Sequence, residues 1–161
     1  MTTSEPTWLT QAAYDRYAEE LEFLTTTRRV EIAKEIQEAR EDGDLKENAG
    51  YHAAKDEQGQ IESRIVELEA LLKSAEVHEA PQASGRVELG TVVSAKVAGR
   101  DQRFLYASTE LQGETDLRIF SPESPIGKVI DGLKIGEKAS YEAPNGQQVE
   151  VEITNVETFE S

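Results

Sequence analysis

The 161-residue sequence contains no cysteine, which excludes disulfide bonds, thiolate zinc sites, iron–sulfur clusters and a cysteine nucleophile. Its two histidines, His52 and His78, are too few for a three-histidine metal site. No apolar run approaches the roughly 18 residues that cross a membrane, and the N-terminus lacks the basic and hydrophobic regions of a signal peptide. These absences favour a soluble, cytoplasmic protein that does not enter a membrane.

Positive charge is also scarce. The sequence has 17 Lys and Arg against 32 Asp and Glu, a formal net charge of −15. Proteins that hold nucleic acid by bulk electrostatics are usually basic, with a domain pI above about 9. The charge therefore argues against direct binding to a nucleic-acid backbone, and against docking on anionic lipid.

Proline and glycine divide the chain near residue 80. Between Thr10 and Ala75 there is no proline and glycine occurs three times, whereas both residues recur throughout the segment after His78. Long helices tolerate few such residues, and short strands joined by turns need them. We predict a helical domain over residues 1–79 and a strand-rich domain over residues 80–161.

Apolar spacing in the first domain predicts two long helices that pack along a heptad seam. In the second helix the seam positions alternate steps of three and four: Tyr51, Ala54, Gln58, Ile61, Ile65, Leu68, Leu72 and Ala75. In the first helix they are Tyr17, Leu21, Leu24, Arg28, Ile32, Ile36 and Ala39. Three successive steps of four through Arg28 predict a local slip of the seam, with Arg28 partly exposed.

The segment Glu41–Asn48 joins the two helices, and Gly43 is suited to end the first. A connection this short predicts an antiparallel coiled-coil hairpin. Arms of about 30 residues would be roughly 45 Å long, with the connection at their far end.

The second domain is expected to be a small antiparallel sheet with one short helix, which makes the fold class α+β. Period-two patterns predict strands over residues 91–97, 103–107, 117–120 and 148–153. Pro144-Asn145-Gly146 predicts a hairpin through a type I′ turn, and Ile126–Ile130 a short helix.

Two interpretations are open for Asp44-Leu45-Lys46-Glu47, in the connection of the hairpin. Asp44 could be the N-cap of the second helix, with Glu47 completing a capping box. Alternatively, both carboxylates face solvent and bind Mg²⁺, which commonly takes one or two protein carboxylates and completes its shell from water and phosphates. Such a pair would act where another molecule supplies the remaining ligands.

The run Glu38–Lys55 closely resembles the hallmark of the Gre family of bacterial transcript cleavage factors, Glu-Ala-Arg-x-x-Gly-Asp-Leu-Lys-Glu-Asn-Ala-x-Tyr-x-x-Ala. A second family block is similar to Ser121–Gly127, followed by Gly132 and Gly136. The resemblance covers nearly the whole chain.

The resemblance implies a C-terminal domain with an FK506-binding-protein-like fold that docks on RNA polymerase. It implies that the coiled coil enters the polymerase secondary channel, so that DNA is contacted only indirectly through the elongation complex. There Asp44 and Glu47 would help hold the second Mg²⁺ and position the water that cleaves the backtracked RNA 3′ end, in keeping with two-metal chemistry. The active site remains that of the polymerase, and the factor is not itself an enzyme; we expect a monomer with no stably bound cofactor.

Further roles follow by the same resemblance. Candidates for RNA contact are Lys55, Tyr51 and Arg40. The alternatives are that Tyr51 packs in the heptad seam and that the side chains of Lys55 and Arg40 are solvated on the helix surface. Asn48 is a candidate for orienting the acidic segment or the water.

Residues expected near the rim of the secondary channel are Ser121, Pro122, Ser124 and Pro125. Two rival functions are a rod that plugs the channel without promoting cleavage and a free Mg²⁺-dependent enzyme.

Overall fold

The structure, a computed structural model, describes residues 7–43 and 48–160. These residues divide into two units, one of residues 14–75 and one of residues 7–13 together with 76–160. The prediction of a boundary at residue 79 differs from this division, because it assigned residues 7–13 to the helical domain. No helix within the described ranges is long and apolar enough to cross a membrane.

The predicted pair of long helices is confirmed. The first runs through α1 (Gln11–Phe23), a π-helical turn (Leu24–Arg28) and α2 (Arg29–Glu41). The second is α3 (Ala49–Ser74), whose 26 residues extend about 39 Å at 1.5 Å per residue.

The π-helical turn explains the slip that the spacing predicts at Arg28. A π turn accommodates one extra residue, so apolar positions on either side of it stay on one face when separated by additional four-residue steps. Within the turn, the hydroxyl of Thr25 donates to the Leu21 carbonyl at 2.9 Å and that of Thr26 to the Glu22 carbonyl at 2.7 Å. Arg28 has a side chain 20% exposed, as the prediction of partial exposure requires.

The two helices of the hairpin are antiparallel. Contacts between them join residues whose numbers rise on one helix and fall on the other: Ala39 with Asn48, Arg29 with Glu62, and Glu20 with Arg64. The buried seam comprises Ile32, Ile36, Ala54, Ile61 and Ile65, with Leu21, Leu24 and Tyr51 packed at its margin. The heptad positions therefore form the core of this unit.

The second unit contains two sheets. Strands β1 (Thr7–Leu9) and β2 (Ala75–Val77) form the smaller one. The larger sheet has the order β5-β4-β3-β7-β6, with bounds β3 Thr91–Val97, β4 Arg100–Tyr106, β5 Arg118–Phe120, β6 Lys138–Glu142 and β7 Gln148–Thr158. Helix α4 (Pro125–Ile130) packs against this sheet, and Ile126 and Ile130 join the core that Phe104 and Ile153 form.

Residues 7–13 group with this unit through buried contacts. Trp8 and Leu9 are 2% and 0% exposed. The Trp8 indole Nε1 donates to the His78 carbonyl at 3.1 Å, and the two rings lie 5.9 Å apart. A single strand of three residues offers no periodicity from which this placement could be predicted.

Two predictions about the larger sheet need correction. β5 pairs parallel with β4, so the sheet is mixed rather than wholly antiparallel. The turn of the β6–β7 hairpin is not type I′, because Gly146 has φ +84° while Asn145 has negative φ. Pro144 imposes φ near −65°, which starts a type I turn and leaves the left-handed position to the glycine.

Candidate functional site

The hairpin connection lies between two well-defined helix ends. α2 ends at Glu41, and Gly43 follows with φ +128°, a conformation that favours glycine. α3 begins at Ala49. Asp44 and Glu47, the two predicted Mg²⁺ ligands, lie outside the described residues.

Asn48 joins these two helix ends. Its side-chain Oδ1 accepts the Tyr51 backbone N–H at 3.0 Å, so Asn48 is the N-cap of α3. Its Nδ2 donates to the Ala39 carbonyl at 2.7 Å, which also accepts the Asp42 backbone N–H at 3.2 Å at the end of α2. The alternative in which Asp44 caps this helix is therefore wrong, because Asn48 occupies the cap position.

Asn48 and Gly43 are the described residues next to the acidic segment in the sequence. Glu47 is covalently bonded to Asn48, so their Cα atoms are about 3.8 Å apart whatever the conformation of the segment. Gly43 bounds its other end. Asn48 makes the cap of α3, so the carboxylates of Asp44 and Glu47 are not needed for it.

Two predicted RNA-contact residues meet at the end of the hairpin. The Arg40 guanidinium carbon lies 5.8 Å from the centre of the Tyr51 ring, within the range of a cation–π contact. Tyr51 is half-buried against the hairpin core and has the His52 ring edge-on at 5.4 Å. The packing role of Tyr51 is confirmed, while its role in RNA contact stays a prediction.

Lys55 lies one helical turn beyond Tyr51, on the same face of α3. Its Nζ donates to Gln58 Oε1 at 3.1 Å, and the side chain is exposed. Gln58 is a neutral partner, so Lys55 can exchange this contact for a phosphate.

The surroundings of this end are acidic. The lining of a groove of about 360 Å³ beside Asn48 includes the carboxylates of Glu35, Glu38, Asp42 and Glu57. Two of them, Glu35 and Glu57, form ion pairs with Arg28. Within the described ranges, no three His, Asp or Glu side chains converge as a metal site.

The second predicted site, Ser121–Pro125, is a tightly bonded loop before α4. Ser124 caps the helix: its Oγ accepts the Gly127 N–H at 3.1 Å and donates to the Ser121 carbonyl at 2.6 Å. Pro125 is the first residue of the helix and is exposed, while Ser121 and Pro122 are half-buried. Ser124 thus maintains the loop, and Pro125 offers the most open surface of the four residues.

Two residues support this loop in ways that the sequence did not indicate. A Cβ at Gly127 would lie 1.9 Å from the Ser121 carbonyl oxygen, so only glycine fits. The hydroxyl of Tyr106 donates to the Gly127 carbonyl at 3.4 Å, and burial raises the pKa of Tyr106 to about 12. A glycine in the first turn of a helix is a weak sequence signal, and Tyr106 carried none.

The fold and the two sites define a two-domain factor, with a helical hairpin whose end carries a short acidic segment and a sheet domain with a rigid proline-bordered loop. Residues 7–77 match the family model described as "Transcription elongation factor, N-terminal", and residues 82–158 match "Transcription elongation factor, GreA/GreB, C-term". The chain belongs to the GreA/GreB family of transcription elongation factors.

Relatives match along the whole chain. It is 47% identical over 161 residues to transcription elongation factor GreA of Streptomyces coelicolor, covering 98% of this chain and 97% of the relative. It is 44% identical over 165 residues to GreA of Mycobacterium tuberculosis, covering both chains completely.

Solved structures also match. GreA factor homolog 1 of Thermus thermophilus is 31% identical, with 94% of this chain and 99% of that chain covered and a TM-score of 0.43. The transcription factor Gfh1 is 28% identical, with 96% and 99% covered and a TM-score of 0.47.

Proposed function

We propose that this protein inserts its helical hairpin into the secondary channel of bacterial RNA polymerase and stimulates cleavage of backtracked RNA by the polymerase. Membership of the GreA/GreB family supports an elongation-factor role for the chain. The observation that carries the proposal is Asn48, which caps α3 and bonds α2, and so frees the carboxylates of Asp44 and Glu47 from a capping role.

The donor set fits Mg²⁺. The ion favours oxygen ligands, and one or two protein carboxylates suffice when water and phosphate oxygens complete its octahedron. A bound Mg²⁺ would stabilise the negative charge that develops on the reacting phosphate. Asp44 and Glu47 would share the ion with the polymerase active site and accept hydrogen bonds from the attacking water, so the chain needs no cofactor of its own.

The neighbouring cations would guide the RNA 3′ end. Lys55 meets a phosphate as a point charge, because its amine lacks the bidentate geometry of a guanidinium. Arg40 and Tyr51 form one unit, in which a base could stack on the exposed part of the ring. The acidic groove beside them limits RNA contact to this face of the hairpin.

The sheet domain would hold the polymerase at the rim of the channel through the loop that contains Ser121, Pro122, Ser124 and Pro125. A loop already fixed by its cap loses little conformational entropy on binding, which favours its use as a docking element.

A backtracked elongation complex tests the proposal. Adding the protein with Mg²⁺ should release short 3′ RNA fragments, and Asp44→Ala or Glu47→Ala should lower the release rate by about 100-fold or more, since each removes a metal ligand. Asp42→Ala is the matched control: it removes an exposed carboxylate two residues away and should leave the rate within about twofold.

Docking is measured separately, by competition with labelled wild-type protein for the polymerase. Both alanine variants should compete as well as the wild type. Cleavage by the double variant at the wild-type rate would refute the assignment of the acidic segment. Cleavage of naked RNA without polymerase would instead establish a free enzyme, and inhibition without cleavage would establish a channel plug.

A further inference from the structure

Arg86 and Lys134 lie directly opposite each other in an isolated antiparallel bridge of the sheet domain. The residue after Lys134 donates its N–H to the carbonyl of the residue before Arg86 at 3.0 Å, and the residue after Arg86 donates to the carbonyl of the residue before Lys134 at 2.8 Å. Because these two bonds flank the pair, it is of the non-hydrogen-bonded kind, in which opposite Cα atoms are about 4.5 Å apart and side chains are closest. The backbone therefore holds two cations side by side.

The charges of this pair are not compensated. Both side chains are exposed, and neither forms an ion pair with any described residue. Two neighbouring acids are bonded elsewhere: the Glu88 carboxylate accepts the Ser84 hydroxyl at 3.0 Å, and the Glu137 carboxylate accepts the Lys134 backbone N–H at 3.0 Å. Since like charges directly across two strands are destabilising, the pair costs stability in the free chain.

The pair lines a groove of about 410 Å³ that also has an apolar side. Ile135 belongs to the lining and is 47% exposed, Gly85 has no side chain to fill the space, and Ser84 and Glu88 complete the lining. A carboxylate in the groove would meet both cations while an apolar neighbour covers Ile135. This combination fits an acidic segment of a protein better than a nucleic-acid backbone, because the net charge of −15 repels a polyanion.

The groove lies beyond the end of α4, and the proposed docking loop, residues 121–125, lies at its start. The Leu133 N–H donates to the Ile130 carbonyl at 3.0 Å where the helix ends, directly before Lys134. At about 1.5 Å per residue, the six residues of α4 place its two ends about 9 Å apart. A partner that covers the docking loop is therefore close enough to reach the groove.

We propose that this groove binds an acidic segment of RNA polymerase, with a carboxylate of the polymerase between Arg86 and Lys134. The proposal rests on the proposed function, since it extends the contact that the docking loop makes. The Arg86 guanidinium bonds the carboxylate through two N–H groups, and Lys134 meets it as a point charge. The carboxylate relieves the repulsion between the two cations, so the cost that the pair carries in the free chain is offset in the complex.

The rate of association with the polymerase tests the groove. Arg86→Glu and Lys134→Glu should each lower the association rate constant of the labelled full chain by about tenfold at about 50 mM salt, because charges at the edge of an interface steer the encounter. At about 500 mM salt the loss should shrink to about threefold or less, since ions screen exposed charges.

Arg100→Glu is the matched control for these variants. Arg100 is exposed in the same domain and has no ion pair among the residues that the structure describes, so its reversal changes the net charge equally. This variant should associate within about twofold of the wild type, because it leaves the groove unchanged.

Unfolding of the free chain in urea separates binding from folding. Each single reversal places an acid opposite the remaining cation, so the equilibrium constant for unfolding should fall about threefold. The double variant places two acids opposite each other, so it should lose this gain and associate most slowly. A variant that is more stable and yet binds more slowly does not owe its loss to misfolding.

Two results would overturn this inference and leave the docking loop untouched. One is association of both single variants at the wild-type rate with a wild type that binds the polymerase, and the other is a lower stability of both. A loss seen only when RNA and DNA occupy the polymerase would also overturn it, and would assign the cations to nucleic acid. A wild type that does not bind the polymerase would instead refute the docking on which the inference rests.

Discussion

Replacing Asn48 should loosen the end of the hairpin by a predictable amount. In Asn48→Ala the side chain loses both of its bonds, to the Tyr51 N–H and to the Ala39 carbonyl. Loss of an N-cap costs about 1 kcal/mol, and loss of a hydrogen bond to a half-exposed carbonyl about 1 kcal/mol more. The local opening free energy should therefore fall by about 2 kcal/mol.

Asn48→Asp divides this effect into its two parts. The carboxylate keeps an acceptor for the Tyr51 N–H and is favoured at a helix N-terminus by about 0.3–1 kcal/mol. It has no proton at neutral pH to donate to the Ala39 carbonyl. We expect a loss of less than about 1 kcal/mol, clearly smaller than that of the alanine variant.

Amide hydrogen exchange measured by NMR reports this opening directly. The Tyr51 amide should exchange about 30-fold faster in Asn48→Ala and no more than about fivefold faster in Asn48→Asp, at 1.4 kcal/mol per factor of ten. Asn155→Ala, at an exposed position of β7, should leave Tyr51 exchange unchanged. Equal exchange in the two Asn48 variants, or no change in either, would refute the role of the cap.

Three further predictions concern the sheet domain, one of them with a comparison variant in α3. Ala98 has φ +53° in the β3–β4 turn, a conformation that asparagine tolerates better than alanine. Ala98→Asn should therefore raise the free energy of unfolding in urea by about 0.5–1 kcal/mol, and a decrease would contradict this reasoning. Gly127→Ala should lower the free energy of unfolding by about 2 kcal/mol or more and weaken polymerase docking, because the new Cβ meets the Ser121 carbonyl. Gly59→Ala, which has open space around it in α3, should raise the free energy of unfolding by about 0.5–1 kcal/mol. Between pH 10 and 12 the phenol of Tyr106 ionises more readily in the unfolded than in the folded chain, because burial raises its pKa. The free energy of unfolding of the wild type should therefore fall by about 2 kcal/mol relative to that of Tyr106→Phe over this range. The same pH dependence of the free energy of unfolding in both proteins would disprove the shift.

Local patterns predicted much of the fold. Strand β3 has the predicted bounds, Thr91–Val97, because its apolar residues, β-branched character and flanking glycines all agree. α4 begins one residue earlier than predicted, at Pro125. β4 and β7 are longer than predicted, at Arg100–Tyr106 and Gln148–Thr158, since their polar ends are ordered by pairing with β3 rather than by their own periodicity.

The site was predictable only in part. Spacing and resemblance identified Asp44, Glu47 and Asn48, and the residues themselves left a cap and a metal ligand as alternatives for Asp44. The structure decides the cap, because Asn48 bonds the Ala39 carbonyl nine residues earlier in the chain. A hydrogen bond of that kind depends on how α2 meets α3, and no local preference of Asn48 specifies it.

Sequence alone determined the antiparallel hairpin, the slip at Arg28 and the division into helical and strand-rich parts, because each follows from short-range periodicity and backbone preference. Tertiary structure decided the parallel direction of β5, the place of residues 7–13 beside β2 and His78, and the support of the docking loop by Tyr106. Those features arise where segments distant in sequence bury surface against each other. The free energy of that burial depends on both segments, so the local sequence of either one does not predict it.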